Sequence, residues 1–305
     1  MSHRSSCSPV RSGLACGALS LLAATAATGQ QRVPALAERT GTFRSPQITE
    51  SSGVAASRRY PGVLWTHNDS GDAPMLYATD LTGDDLGRYL VPGARNVDWE
   101  DLALAPCPRT AGDCLYVADT GDNNERRRSV TLYVIPEPPA RPTPVAPEES
   151  ARIAPRAHAL HVRYPDRAHD VEAIWVNPDG TVELVTKGTS GPILRYRIPA
   201  AALAGDSTTA ELEDALPIVP QRALGRLVTG AAVSPGGDRI VIRTYTELYF
   251  FRRAAGGNLV PEGRPCWLGT LEPQGEAVAF LDEATLVLTS ESVLGQAGSI
   301  HKVRC

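Results

Sequence analysis

Glu172-Ala173-Ile174-Trp175, running on through Val176 into the turn Asn177-Pro178-Asp179-Gly180, is a short apolar strand opened by a carboxylate and closed by a turn signal. The same small signature opens four other strands: Ser52-Gly53-Val54-Ala55, Glu100-Asp101-Leu102-Ala103, Gly230-Ala231-Ala232-Val233 and Glu276-Ala277-Val278-Ala279. In chain order the five copies stand 48, 72, 58 and 46 residues apart. That is close to the roughly 40–50 residues of a propeller blade. Self-similarity at this period predicts an all-β fold, a β-propeller, because no such unit can bury its faces alone. Five blades are countable, and a sixth without the signature could lie in the 72-residue interval.

Each signature is followed by further strands. The second unit reads as strands at 102–105, 115–118 and 130–135, and the third as 173–176, 182–186 and 193–198. The fourth reads as 232–234, 239–244 and 247–252, and the fifth ends at 299–304. Outer strands are weakly marked, 159–164 being the clearest, and 42–45 is placed to complete the last blade and close the ring. The two long intervals contain insertions. Residues 136–156 hold seven prolines and read as a surface excursion without regular sheet pairing, and 200–222 reads as a polar stretch with a short helix.

With 305 residues and 42% hydrophobic content the chain can bury a large core, and a net charge of −4 disfavours nucleic acid as a partner. The N-terminus reads as an export signal over residues 1–29. Arg4 and Arg11 form its basic start, 14–27 its apolar core, and cleavage follows Ala26 or Gly29. No other stretch is long and apolar enough to insert in a membrane. The expected product is a single propeller domain over 30–305, secreted or periplasmic. Cysteine usage agrees. Cys107, Cys114, Cys266 and Cys305 remain after the signal is removed, and four cysteines allow three pairings. The turn-rich segment between Cys107 and Cys114 suits a hairpin disulfide, after which Cys266 and Cys305 would tie the chain end to the preceding blade.

The signature places Ser52, Glu100, Glu172, Gly230 and Glu276 at equivalent points of the inner strands, hence on a ring around the channel. Carboxylates of Glu100, Glu172 and Glu276 facing one axis repel each other unless a positive charge sits among them. An oxygen-only donor set favours calcium or magnesium; Arg243 or Lys187 could serve instead, as could local pairing at the blade junctions. The echo Asp69-Ser70-Gly71-Asp72 and Asp119-Thr120-Gly121-Asp122 puts two oxygen-rich loops on one side of the disc, with Asp69 and Asp119 as weaker metal candidates against a purely conformational role. His169, three residues before Glu172, is a candidate at the channel mouth, whereas the odd spacing of His158 and His161 sends them to opposite faces of a strand. No G-x-S-x-G elbow, P-loop or G-x-G-x-x-G is present. Trp65, Trp99, Trp175 and Trp267 read as packing between blades.

The run from Glu100 to Leu115-Tyr116-Val117-Ala118-Asp119, with its echo at Glu172, resembles bacterial propellers of the SdiA-regulated and phytase-like group, and more distantly the NHL and gluconolactonase–paraoxonase propellers. That resemblance implies calcium on acidic residues at one channel mouth, with Glu100, Glu172 and Glu276 at the matching positions. Two functions compete. One is an exported scaffold binding a ligand or an extracellular protein on its loop face. The other is a metal-dependent hydrolase of phosphate esters or lactones, with His169 or Glu172 as the proton-transfer group.

Overall fold

A computed structural model describes residues 32–305 apart from positions 147 and 273. The expected signal segment, with Cys7 and Cys16, lies outside the described residues. Five sheets, antiparallel except for short parallel straps at three outer edges, follow one another around a ring. The first blade runs outward from Ser51–Ala56 through Leu64–Asn68 and Met75–Thr79 to Gly87–Leu90, and the second from Trp99–Pro106 through Asp113–Asp119 and Val130–Pro136 to His158–Arg163. The third comprises Val171–Val176, Val182–Thr186, Leu194–Ile198 and Glu211–Ala215. The fourth comprises Val228–Val233, Arg239–Thr244, Glu247–Arg253 and Cys266–Trp267, with Leu259–Pro261 beside it. The fifth takes Gly275–Phe280, Leu286–Ser290 and Ser299–Arg304 from the C-terminal end and Leu36–Thr42 from the N-terminal end. Each innermost strand neighbours the next, the fifth neighbouring the first, so the circle is closed. Among the described residues the 72-residue interval holds no sixth blade.

Apolar side chains gather in five clusters, one at each junction between neighbouring blades. Trp65 and Trp99 fill the first–second junction and Trp175 the third–fourth. Trp267 is only half-buried and lies under the Arg32 guanidinium, 4.1 Å from its ring centre. The disulfides join Cys107 to Cys114 and Cys266 to Cys305, the second tying the chain end to the outer strand of the fourth blade.

The closing strand is Leu36–Thr42, paired antiparallel with Ser299–Arg304, so closure comes several residues earlier than the 42–45 expected from sequence. Both insertions contribute sheet. From the proline-rich stretch, Arg152–Ile153 pairs in parallel with the edge of the first blade before the chain enters the outer strand of the second. From 200–222, a 3-10 turn at Ala200–Ala204 leads to Ser207–Thr209, which straps the edge of the second blade, and then to the outer strand of the third. Val33–Pro34 does the same for the fourth blade before the chain joins the fifth. The approach to an outer strand thus repeatedly covers the exposed edge of the blade before it.

Every innermost strand carries a β-bulge at the same point, and the extra residues are Ser52, Glu100, Glu172, Thr229 and Glu276. In the fourth blade the equivalent of the glutamates is therefore Thr229, not Gly230. The sequence alignment was one residue out there. After the bulge come Gly53, Asp101, Ala173, Gly230 and Ala277; four are Gly or Ala, which leaves the axis to Asp101. Its carboxylate is fully buried and accepts backbone N–H groups from Leu102 (2.8 Å), Ile174 (2.8 Å) and Ala231 (3.2 Å), joining three blades at the centre. Asp101→Ala leaves those three donors without a partner, at about 1–3 kcal/mol each. A loss of at least ~3 kcal/mol is expected in urea unfolding. Asp101→Asn, which keeps an acceptor oxygen, should lose less; an Ala variant with the wild-type midpoint would show that the central tie is unimportant.

Candidate functional site

The bulges set the site. A bulge turns the extra side chain out of the normal alternation, and here it aims Glu100 and Glu172 into one end of the channel, where the second and third blades meet. Two residues before them, just ahead of each strand, stand Asp98 and Asp170. The structure brings these groups together as two triads, Asp69–Asp98–Glu100 and Glu100–Asp170–Glu172, with one ligand oxygen from each member lying within 4.8 Å of the others. Calcium–oxygen bonds of about 2.3–2.6 Å fit oxygens so spaced. Glu100, Asp170 and Glu172 are all buried. Asp170 Oδ1 accepts the Asp122 N–H at 2.8 Å, whereas Oδ2, equally buried, has no hydrogen-bond partner.

Gly121 supplies the room. A Cβ there would lie 2.1 Å from Glu100 Oε1 and 2.6 Å from Asp98 Oδ2, so both carboxylates lie directly against the loop backbone. The loop is held from outside by Arg127. This arginine donates to Gly121 O and, at 2.8 Å, to Asp119 Oδ1. Asp119 is therefore a partner of Arg127 and of the Asp98 N–H, and stands in neither triad. Asp69, from the matching loop of the first blade, does.

Glu276 occupies the same ring position in the fifth blade but lies outside both triads. Ser52 and Thr229 complete the ring differently: their hydroxyls donate to the carbonyls of Glu100 (2.6 Å) and Glu276 (2.9 Å), bracing the next blade. Of the two cations considered as counter-charges, Lys187 bonds Glu172 Oε1. Arg243 turns away to Glu272 and the carbonyls of Ala277 and Thr289, at the fourth–fifth junction. His169 is buried behind the mouth, its Nε2 2.9 Å from Asp166 Oδ2 and 2.6 Å from the Tyr196 hydroxyl, with Tyr164 edge-on. It belongs to neither triad.

The electrostatics are one-sided. Burial, reinforced by Glu172 and Asp69, holds Glu100 well above the usual carboxylate range, and burial with Glu172 and Glu291 does the same for Glu276. Burial pushes Glu172 up to about 8 against the pull of Lys187. Asp98 rises to about 6 through burial, Asp69 and Asp170; Glu291, on the rim, rises to about 7 through burial, Asp69 and Glu50. Asp69 and Asp170 are raised mainly by burial as well. Burial alone would lower the Lys187 pKa, but Glu172, Tyr245 and Glu100 carry it above its ordinary value. One ammonium thus faces a crowd of carboxylates with little water to screen them. A hard divalent cation suits this oxygen-only set.

Asp98 and Asp170 were the residues that sequence reading missed. The signal was present: Asp98-Trp99-Glu100 and Asp170-Val171-Glu172 repeat an Asp-x-Glu pattern at blade-equivalent positions.

No protein family matches the chain, and no curated protein matches it by sequence. Among solved structures, the PQQ-bound aldose sugar dehydrogenase from Streptomyces coelicolor is similar, at 14% identity and a TM-score of 0.50, over 89% of this chain and 98% of that one. The Dos1 propeller matches at 12% identity and a TM-score of 0.39, over 82% of this chain and 56% of that one. The likeness to the dehydrogenase shows the fold alone, a β-propeller.

The raised acids fix the pH response. A carboxylate whose pKa is higher folded than unfolded holds more protons in the native state, so stability is lost as pH climbs through the folded value. With Asp98, Glu291 and Glu172 at about 6, 7 and 8, the melting temperature in EDTA should fall steadily between about pH 5 and 8. Excess calcium should flatten that fall, because the cation replaces the protons. A calcium-independent profile in thermal melts would remove the cation from the account.

Proposed function

We propose that this chain is an exported β-propeller that holds calcium at one mouth of its channel and binds an oxygen-rich ligand there. The observation that carries the reading is the buried Glu100–Asp170–Glu172 triad, its donor oxygens within 4.8 Å, together with the unpartnered Asp170 Oδ2. A cation in that place completes the hydrogen-bonding and charge balance of three acids that burial alone would keep protonated. Glu100, Asp170 and Glu172 would hold the cation, and any coordination position they leave free could be taken by a hydroxyl, carboxylate or phosphoryl oxygen of a ligand. The two disulfides suit an oxidising compartment, and among the described residues no helix is long and apolar enough to cross a membrane. These features support export; the leader at 1–29 is part of the proposal. A place in the SdiA-regulated and phytase-like group is equally part of it, resting on the Glu100 and Glu172 segments.

One observation favours a second reading, a metal-dependent hydrolase of phosphate esters or lactones. Glu172, pushed up to about 8 and held by Lys187, is a group able to exchange a proton near neutral pH beside the cation. His169, tied to Asp166 and Tyr196, has no such place. Ligand binding is the better-supported reading, since it needs only the donor oxygens of the buried triad and no assigned proton-transfer step.

Calcium at 100 times its Kd should stabilise the mature protein by about 2.7 kcal/mol. Asp170→Asn should remove most of that shift in a melting experiment. With p-nitrophenyl phosphate and simple lactones no turnover is expected; turnover abolished by Glu172→Gln would make the hydrolase the correct reading. Silence in both the melting and turnover assays would defeat the two together.

A further inference from the structure

We propose that a cavity over the fourth–fifth blade junction binds a small monocarboxylic acid with an apolar tail, its acid group held by His301 and Arg39. The cavity has a volume of about 380 Å³ and lies under the loop that joins Leu286–Ser290 to Ser299–Arg304. Its residues are distinct from the acids of the two triads, and the inference does not rest on the cation proposed there.

His301 is the group that calls for a ligand. The residue is only 3% exposed, yet it lines the cavity. Its Nδ1 is buried without a hydrogen bond, 3.4 Å from Glu272 Oε1, which is buried and unpartnered as well. The other Glu272 oxygen is taken by the fully buried Arg243, which fixes the carboxylate behind the ring. Nε2 has no partner among the described residues and is the nitrogen left to the cavity. Buried polar groups are normally paired, so a ligand acceptor at Nε2 fills a gap. A carboxylate there would leave the imidazolium between two acids, with one ring nitrogen donating to each.

Arg39 stands beside it. The two residues face each other across the paired strands Leu36–Thr42 and Ser299–Arg304, which puts their side chains on one face. Arg39 is exposed and forms no ion pair with a described residue. Glu291 lines the end next to the channel, whereas Arg39 sits on the outermost strand, so an anion is drawn to the outward end.

Leu271, Val293, Leu294 and Ala297 make the remaining wall apolar. Val293 and Gln296 exchange N–H···O bonds of 3.0 Å around a two-residue turn, in which Leu294 and Gly295 both have positive φ, 52° and 77°. Such turns favour Asn-Gly, and a leucine in that conformation is strained. Leu294 is 99% exposed, so no packing within the chain offsets the strain, whereas contact with an apolar tail would.

A chain-length series tests the assignment. Acetate, butanoate, hexanoate and hexanamide are titrated calorimetrically onto the full mature chain in EDTA. Each added methylene should tighten binding about fourfold until the cavity is filled. Hexanamide should bind at least about tenfold more weakly than hexanoate. His301→Ala should weaken hexanoate at least about tenfold and Arg39→Gln about threefold. Arg39 lies on the surface, so its variant keeps the test open should the first fold poorly. Leu294→Gly, which removes the strain, should melt no lower than wild type but flatten the dependence on chain length. Acetate binding as tightly as hexanoate would mean an adventitious ion only and overturn the proposal, as would hexanamide matching hexanoate. Hexanoate bound only when calcium is present would put the acid at the channel mouth and overturn the assignment; no binding would end it outright. Binding in EDTA without any calcium-induced melting shift would defeat the cation reading and leave this site standing.

Discussion

The Asp101 carboxylate accepts N–H groups from its own strand and from the inner strands of the third and fourth blades, at a point where the chain has no water to offer them. Everything at the channel depends on that crowding. Five inner strands converge so tightly that the ring position holding Asp101 admits only Gly or Ala on the other four. One polar group then serves three strands at once. Because each inner strand bulges one residue earlier, the next ring out toward the mouth is formed by the bulged residues, and their side chains inherit the same convergence. The acids come together because the backbone beneath them cannot spread.

The ring is nonetheless unequal, and the inequality locates the chemistry. Blades one and four present hydroxyls, Ser52 and Thr229, whose donors are taken by the carbonyl of the following blade. They stiffen the backbone of Glu100 and Glu276 without adding charge. Negative charge is left concentrated where the second and third blades each add an Asp two residues upstream, and where the first-blade loop brings Asp69. A cation held there would lie off the axis, between blades, rather than on the symmetry line. Arg243, which could have neutralised the ring, is instead held at the fourth–fifth junction against Glu272, where Gly275 leaves the space: a Cβ there would lie 1.7 Å from the guanidinium.

Much of this was legible in the sequence, and the gaps have physical causes. Glu100 and Glu172 were visible because a carboxylate recurs before an apolar strand at blade spacing. The slip at Gly230 arose because Thr229-Gly230-Ala231-Ala232 offers no large residue to fix the register, and a bulge displaces it by one. Asp98 and Asp170 were passed over since they precede the apolar pattern and look like turn residues. The outer strand Glu211–Ala215 was hidden for another reason. Its stability comes from cross-strand ion pairs, Arg195 with Asp214 and Arg197 with Glu211, rather than from apolar alternation. Likewise 136–156 looked irregular because prolines obscure the two-residue strand Arg152–Ile153 within it.

Lys187 sets how such a site must behave. Its ammonium competes for Glu172 with any cation in the Glu100–Asp170–Glu172 triad, so metal binding has to displace that hydrogen bond or share the carboxylate with it. Protons compete in the same way at Asp98 and Glu172, whose raised pKa values mean that each must be deprotonated before it can serve a metal near neutral pH. Both competitors weaken intrinsic affinity. In exchange they keep the narrow mouth from carrying its full negative charge when the cation is scarce, which the tightly packed inner strands could not relieve by moving apart. A site tempered in this way suits a compartment where calcium is plentiful, and the two disulfides fit the same kind of compartment on unrelated grounds.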